Sequence, residues 1–133
     1  MSWIFDESRP LFQQIVERVT IDVVSGKYKA GDKLPSVREY AVEAGVNPNT
    51  MQKALSALEE SGLIVTQRNS GRYVTENSRL IADYRKSAAL KAARDYIAFT
   101  KSAGLTLEET IEVLIEVFCN FALMIFISIH INF

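Results

Sequence analysis

The residue that most restricts this chain is Pro48, in the stretch Val46-Asn47-Pro48-Asn49-Thr50-Met51. Proline lacks an amide hydrogen and clashes with the preceding turn, so within a helix it costs about 3 kcal/mol; at the first helical position that donor would be unpaired anyway. Beyond it, Met51, Ala54, Leu55 and Leu58 recur at i, i+3, i+4 and i+7, and Gly62 follows as a stop. The spacing predicts a helix with Asn47 as N-cap and Pro48 as first residue. Its other face carries Asn49, Gln52, Lys53 and Ser56, with Thr50 near the start and the acids Glu59 and Glu60 only at the far end. An ordinary solvated face fits this stripe, but side chains of this kind also reach base edges and phosphate oxygens, and an acid-free leading half suits the groove of a polyanion.

The segments before it complete an outline. Ser36-Val37-Arg38-Glu39 has the S-x-x-E form of a capping box, and Gly45 ends the helix it opens within about two turns. A short capped helix, a tight turn and a second helix form a helix-turn-helix pattern, which also joins helices in proteins that never meet DNA. Further upstream, residues 1–9 read as an arm, and a first helix is expected from Pro10, with Leu11, Ile15, Val19 and Val23 on its apolar face and Phe12 and Val16 beside them. Gly26 stops it, and residues 26–36 read as a turn-rich connection. After Gly62, Leu63–Thr66 and Arg72–Thr75 are two β-prone runs around Gln67-Arg68-Asn69-Ser70-Gly71, the pattern of a hairpin. Arg68 and Arg72 flank a flexible Gly71, so the backbone could approach a phosphate or a minor groove; an ordinary solvated hairpin fits the same residues.

Composition excludes more than it assigns. The formal charge of −1 does not mark a nucleic-acid binder, so the distribution of charge matters more than its sum. A single cysteine, Cys119, rules out an internal disulfide framework and makes the reducing cytoplasm the expected compartment; the amino terminus has no signal-peptide pattern. Cys119 and the only histidine, His130, lie on an apolar tail with no acid beyond Glu116 to orient them, and no phosphate-binding loop is present. No enzymatic activity, metal or cofactor is expected.

Taken together, the run from "RPLFQQIVERV" through "SGKYKAGDKLPSVREYAVEAGVNPNTMQKALSALEESGLIVTQRNSGRYVT" resembles the winged helix-turn-helix domain of GntR-family bacterial transcription regulators. The landmarks are P-L-x-x-Q-I, G-x-x-x-x-G-x-x-L-P-S-x-R-E, the G-V-x-x-x-T turn, A-L-x-x-L-E-x-x-G-L-I and the terminal wing, in order over about half the chain. The resemblance implies a mainly α fold and binding to a double-stranded DNA operator. By position it implies operator contacts from Ser36 and Arg38, a phosphate contact from Thr50, and major-groove positions for Asn49, Gln52 and Lys53, next to the N-cap Asn47. Gly71 matches the wing glycine that nears the minor groove, with Arg68 and Arg72 beside it. Many relatives carry arginine where this chain has Pro48, so one strong contact is missing. The N-P-N-T form is similar to the YtrA-like subfamily, whose members have short carboxy-terminal regions and are commonly repressors.

The winged domain is thus expected over residues 1–77 and a second, helical region over 78–133, with the joint at Glu76-Asn77-Ser78. Leu80, Ile81, Tyr84, Ala88, Ala92, Tyr96 and Ile97 stripe one helix to about Ser102, and Gly104 breaks it. Thr106-Leu107-Glu108-Glu109 caps another, striped by Ile111, Leu114, Ile115 and Phe118. Two helices cannot enclose a small-molecule pocket of several hundred cubic ångströms, so these stripes are expected to bury against each other and against a second copy, making a homodimer; no effector is legible. Residues 119–133 form an uncharged tail, and Ile127, Ile129, Ile131 and Phe133 alternate with polar residues as in a strand. A buried extension of the dimer, a membrane-touching tail and a non-native or truncated terminus all fit it, with the membrane the less favoured partner. A membrane-associated winged-helix interaction module is the alternative reading of the whole chain.

Overall fold

The computed structural model describes residues 3–131, and the chain divides into two compact units, Met1–Ser87 and Ala88–Phe133. The elements are α1 (Leu11–Val24), α2 (Val37–Ala44), α3 (Pro48–Glu60), β1 (Ile64–Gln67), β2 (Gly71–Val74), α4 (Ser78–Ser102) and α5 (Leu107–Ile131).

In the first unit, three helices close on one core. Ile15, Val19 and Val23 of α1 meet Tyr40, Ala41 and Ala44 of α2 and Met51, Ala54, Leu55 and Leu58 of α3; Leu63, Ile64 and Val74 close the side toward the hairpin. The i, i+3, i+4 pattern of α3 is buried as its spacing predicts. In α1 the stripe begins later than expected. Pro10 is its N-cap rather than its first residue, and Leu11 and Phe12 in the first turn are exposed, because the core begins one turn further along, at Ile15. Gly26, with φ +86°, follows the C-cap Ser25.

The hairpin pairs β1 and β2 antiparallel, with Ile64 opposite Val74 and Thr66 opposite Arg72; the expected strands shift by one residue at the turn. A third segment joins it. Lys33 makes an antiparallel bridge to Tyr73, the Leu34 amide donates to the Arg72 carbonyl at 2.9 Å, and the Val74 amide donates to the Asp32 carbonyl at 2.9 Å. The loop before α2 therefore serves as a short partner for β2, satisfying backbone groups that an edge strand would leave open.

The arm is not free. Trp3 is 7 % exposed, packs edge-on against Tyr40 with ring centroids 5.9 Å apart, and donates its indole N–H to Glu43 at 3.1 Å. At the other end of the unit, Ile81 is buried and the Arg85 guanidinium donates to the Val24 carbonyl at 2.7 Å, so the first turns of α4 belong to this core and the unit runs through Ser87.

In the second unit, α4 ends at Ser102, Gly104 adopts φ +85°, and Thr106 and Glu109 form the expected capping box, at 3.2 and 2.7 Å. The Tyr96 hydroxyl donates to the Thr110 carbonyl at 2.8 Å, bracing the turn. Two expectations fail here. The stripes of α4 and α5 do not bury against each other: between residues 88 and 129 only Thr100 and Thr110 are buried, while Ile111, Leu114, Ile115 and Phe118 are 48–75 % exposed. The tail is not a strand either; α5 continues unbroken to Ile131, with Asn132 and Phe133 outside the described residues. No glycine or proline follows Thr106 to stop the helix, and in so apolar a segment the alternating isoleucines carry little information about period.

Candidate nucleic-acid interface

The starts of α2 and α3 in the first unit are both tied down by side chains. Ser36 Oγ accepts from the Glu39 amide at 3.3 Å while the Ser36 amide donates to the Glu39 carboxylate at 2.7 Å. The Ser36 backbone N–H, followed by the Ser36 side chain, holds the Glu39 carboxyl below its ordinary range. Arg38 is thus carried in the first turn of a rigid helix, exposed. Gly45, at φ +68°, turns the chain, and its amide returns to the carbonyls of Ala41 and Val42. Any other residue there would hold a left-handed backbone at a cost.

The start of α3 follows at once. Asn47 Oδ1 accepts from the Asn49 amide at 2.8 Å, and the Asn47 carbonyl receives the Thr50 and Met51 amides at 3.0 and 3.1 Å; Pro48 occupies the first helical position. The Asn47 oxygen is therefore committed to capping, which leaves its amide nitrogen to face outward chemistry. Asn49, Gln52 and Lys53 are exposed along the helix, and Thr50 is half-buried. Gln52 donates to Ser56 at 3.2 Å, an intrahelical bond that orients its amide. Neither Arg38 nor Lys53 takes part in a salt bridge among the described residues.

The hairpin stands beside α2. A cleft of about 480 Å³ is lined by Lys33, Ser36, Arg38, Glu39, Gly71 and Arg72, so it brings the predicted α2 residues and the wing glycine together. Arg68 lies exposed on the turn next to Asn69, which has φ 62°. Arg72 departs from the expectation of a free cation at the tip: its Nε donates to Glu59 Oε1 at 2.9 Å, and its side chain is only 18 % exposed. The cross-strand register explains this. Thr66 and Arg72 are directly opposite, hence on one face of the hairpin, and that face meets the end of α3, where Glu59 accepts from both. Sequence reasoning missed Lys33 and Glu59, whose roles depend on pairings distant in sequence. Among the described residues no group of three His, Cys, Asp or Glu could hold a metal ion.

The profile of "Bacterial regulatory proteins, gntR family" matches residues 11–74, from the first residue of α1 to the last of β2. The chain is 37 % identical over 111 residues to the HTH-type transcriptional repressor YtrA of Bacillus subtilis (strain 168), covering 83 % of this chain and 85 % of that protein. The chain belongs to the GntR family. A second relative in the same organism, the HTH-type transcriptional regulator YhcF, is 33 % identical over 81 % of this chain and 89 % of its own. Among solved structures, a GntR family transcriptional regulator from Listeria monocytogenes superimposes with a TM-score of 0.79 at 38 % identity, covering 84 % of this chain and 98 % of that one. This GntR-family chain is accordingly a DNA-binding transcription regulator, and the relatives it matches are regulators rather than enzymes.

Proposed function

We propose that the chain is a cytoplasmic homodimeric repressor that binds a palindromic operator, with α3 in the major groove and the wing at the minor groove. The observation that carries this reading is the outward face of α3, acid-free from Pro48 to Leu58 and opening on a capped N-terminus, together with the exposed Arg38 in the first turn of α2. Helix N-termini present unpaired amides and the positive end of the helix dipole, so this end suits a phosphate backbone. Relatedness to a protein named as a repressor supports the sign of regulation. The exposed apolar residues of α5 support a second copy as its cover, and two reading heads related by a two-fold axis match a palindrome.

One observation favours a second reading. Over Leu107–Ile129, α5 has a mean hydropathy of 2.1 and is long and apolar enough, by length and composition, to cross a membrane. A membrane-anchored winged-helix interaction module would use it so. Two measurements on the full chain decide. Duplex binding followed by fluorescence anisotropy should weaken steeply between about 50 and 200 mM salt, and the protein should sediment as a dimer without detergent. Salt-independent retention of DNA contradicts the operator reading, and sedimentation only with lipid or detergent contradicts the soluble dimer.

A further inference from the structure

Three cations lie in reach of the wing tip, Arg68 and Arg72 on the hairpin and Lys33 on the segment paired with it, and they are not equivalent. Arg72 is spent within the fold. Its guanidinium is held by Glu59, whose same oxygen accepts from Thr66, so its charge is compensated and its direction fixed toward α3.

Lys33 is placed in the opposite way. Its backbone is fixed against the wing by the bridge to Tyr73 and the neighbouring Leu34 amide, so its Cα is as well positioned as a strand residue. Its side chain is exposed and makes no salt bridge among the described residues. It lies over Gly71: a Cβ there would stand 3.2 Å from Lys33 Cε and 3.9 Å from Nζ. Gly71 also has φ +125°, so glycine gives both the backbone angle and the room for this lysine. The ammonium group borders the cleft into which Ser36 and the first turn of α2 face, where the Val37 and Arg38 amides have no intrahelical acceptor. The one acid lining that cleft, Glu39, is near enough for the Lys33 charge to help hold its carboxyl low, but it makes no salt bridge with Lys33 and accepts from the Ser36 amide at 2.7 Å.

We infer that Lys33, rather than Arg72, is a residue through which the wing holds a backbone phosphate of the duplex, and that Arg72 is a positioning residue fixing the wing against α3. The inference rests on the DNA-binding reading above and adds to it a phosphate partner and a division of labour. A lysine on a phosphate acts as a point charge, without base selectivity, so removing it weakens binding to all sequences alike.

The test uses the full chain and a fluorescein-labelled duplex of random sequence, with anisotropy measured across a salt series. Lys33→Ala should weaken binding and make the slope of log K against log salt shallower by about 0.9 for each phosphate left without its cation. Lys33→Arg should keep the wild-type slope. The double variant Arg72→Met with Glu59→Gln removes the pair at constant net charge; it should lower affinity by loosening the wing while leaving the slope unchanged. Thermal melting checks that Lys33→Ala remains folded, as an exposed side chain allows. An unchanged slope in Lys33→Ala, or a shallower slope in the Arg72/Glu59 double variant, overturns the inference. If the wild-type chain itself shows no salt-dependent binding, the DNA-binding reading fails with it, and the two failures are told apart by that control.

Discussion

Replacing Arg38 and Lys53 together by alanine should reduce affinity for duplex DNA by at least about thirtyfold per protomer while leaving the fold intact. Each side chain is exposed, on a helix whose start is capped, and neither is engaged in an ion pair among the described residues. A guanidinium or ammonium contact to DNA contributes about 1–3 kcal/mol. The two residues lie on different helices with no partner in common, so their effects should add, to about 2–6 kcal/mol. Surface substitutions of this kind shift stability by no more than about 0.5 kcal/mol. Anisotropy of a labelled duplex and a melting curve on the same preparation check both halves of the expectation. Undiminished binding would remove α2 and α3 from the interface.

The second large effect is on stability. Trp3→Ala should destabilise the first unit by about 3–5 kcal/mol, the range for emptying a buried aromatic site. Trp3 is 7 % exposed, tilts against Phe5 with centroids 6.0 Å apart, meets Tyr40 edge-on and lies under the Arg18 guanidinium, 5.5 Å from its centroid. Its N–H bond to Glu43 ties the arm to α2, the helix that carries Arg38. Against a typical total of about 5–15 kcal/mol, this destabilisation should lower the melting temperature by more than about 10 °C. Trp3→Phe should recover most of it. A shift of less than about 3 °C for the alanine variant would show that the arm contributes little to the core.

What can be read from the sequence is local. The N-cap at Asn47, the first-turn Pro48, the Ser36–Glu39 box and the buried stripe of α3 each depend on residues within one or two turns, and each is found where the pattern puts it. What cannot be read depends on pairings distant along the chain. Nothing near Trp3 signals that it crosses to Tyr40 and Glu43, and "AGDKLP" gives no period from which its pairing with β2 follows. Arg72 looks like a free cation in the sequence because its neighbour Glu59 lies on another element; only the register that sets Thr66 opposite it turns it inward. The tail is ambiguous for a different reason. Where nearly every residue is apolar, strand and helix periodicities both find support, and the continuation of a capped helix without a breaker decides the outcome.

The residues proposed to set specificity, Asn49, Gln52 and Lys53, follow a proline rather than a cation at the start of α3. Pro48 gives a helix start with a fixed entry angle, so under the proposed reading these side chains are presented from a rigid end.

The most direct measurement of the central claim is selection of bound sites from a pool of random duplex DNA by the full-length protein. A homodimeric reader with α3 in the major groove should enrich a two-fold-symmetric consensus whose half-sites lie about 10 base pairs apart, centre to centre, or a multiple of that spacing. A pool that stays random, or one that converges on a single asymmetric element, would contradict it.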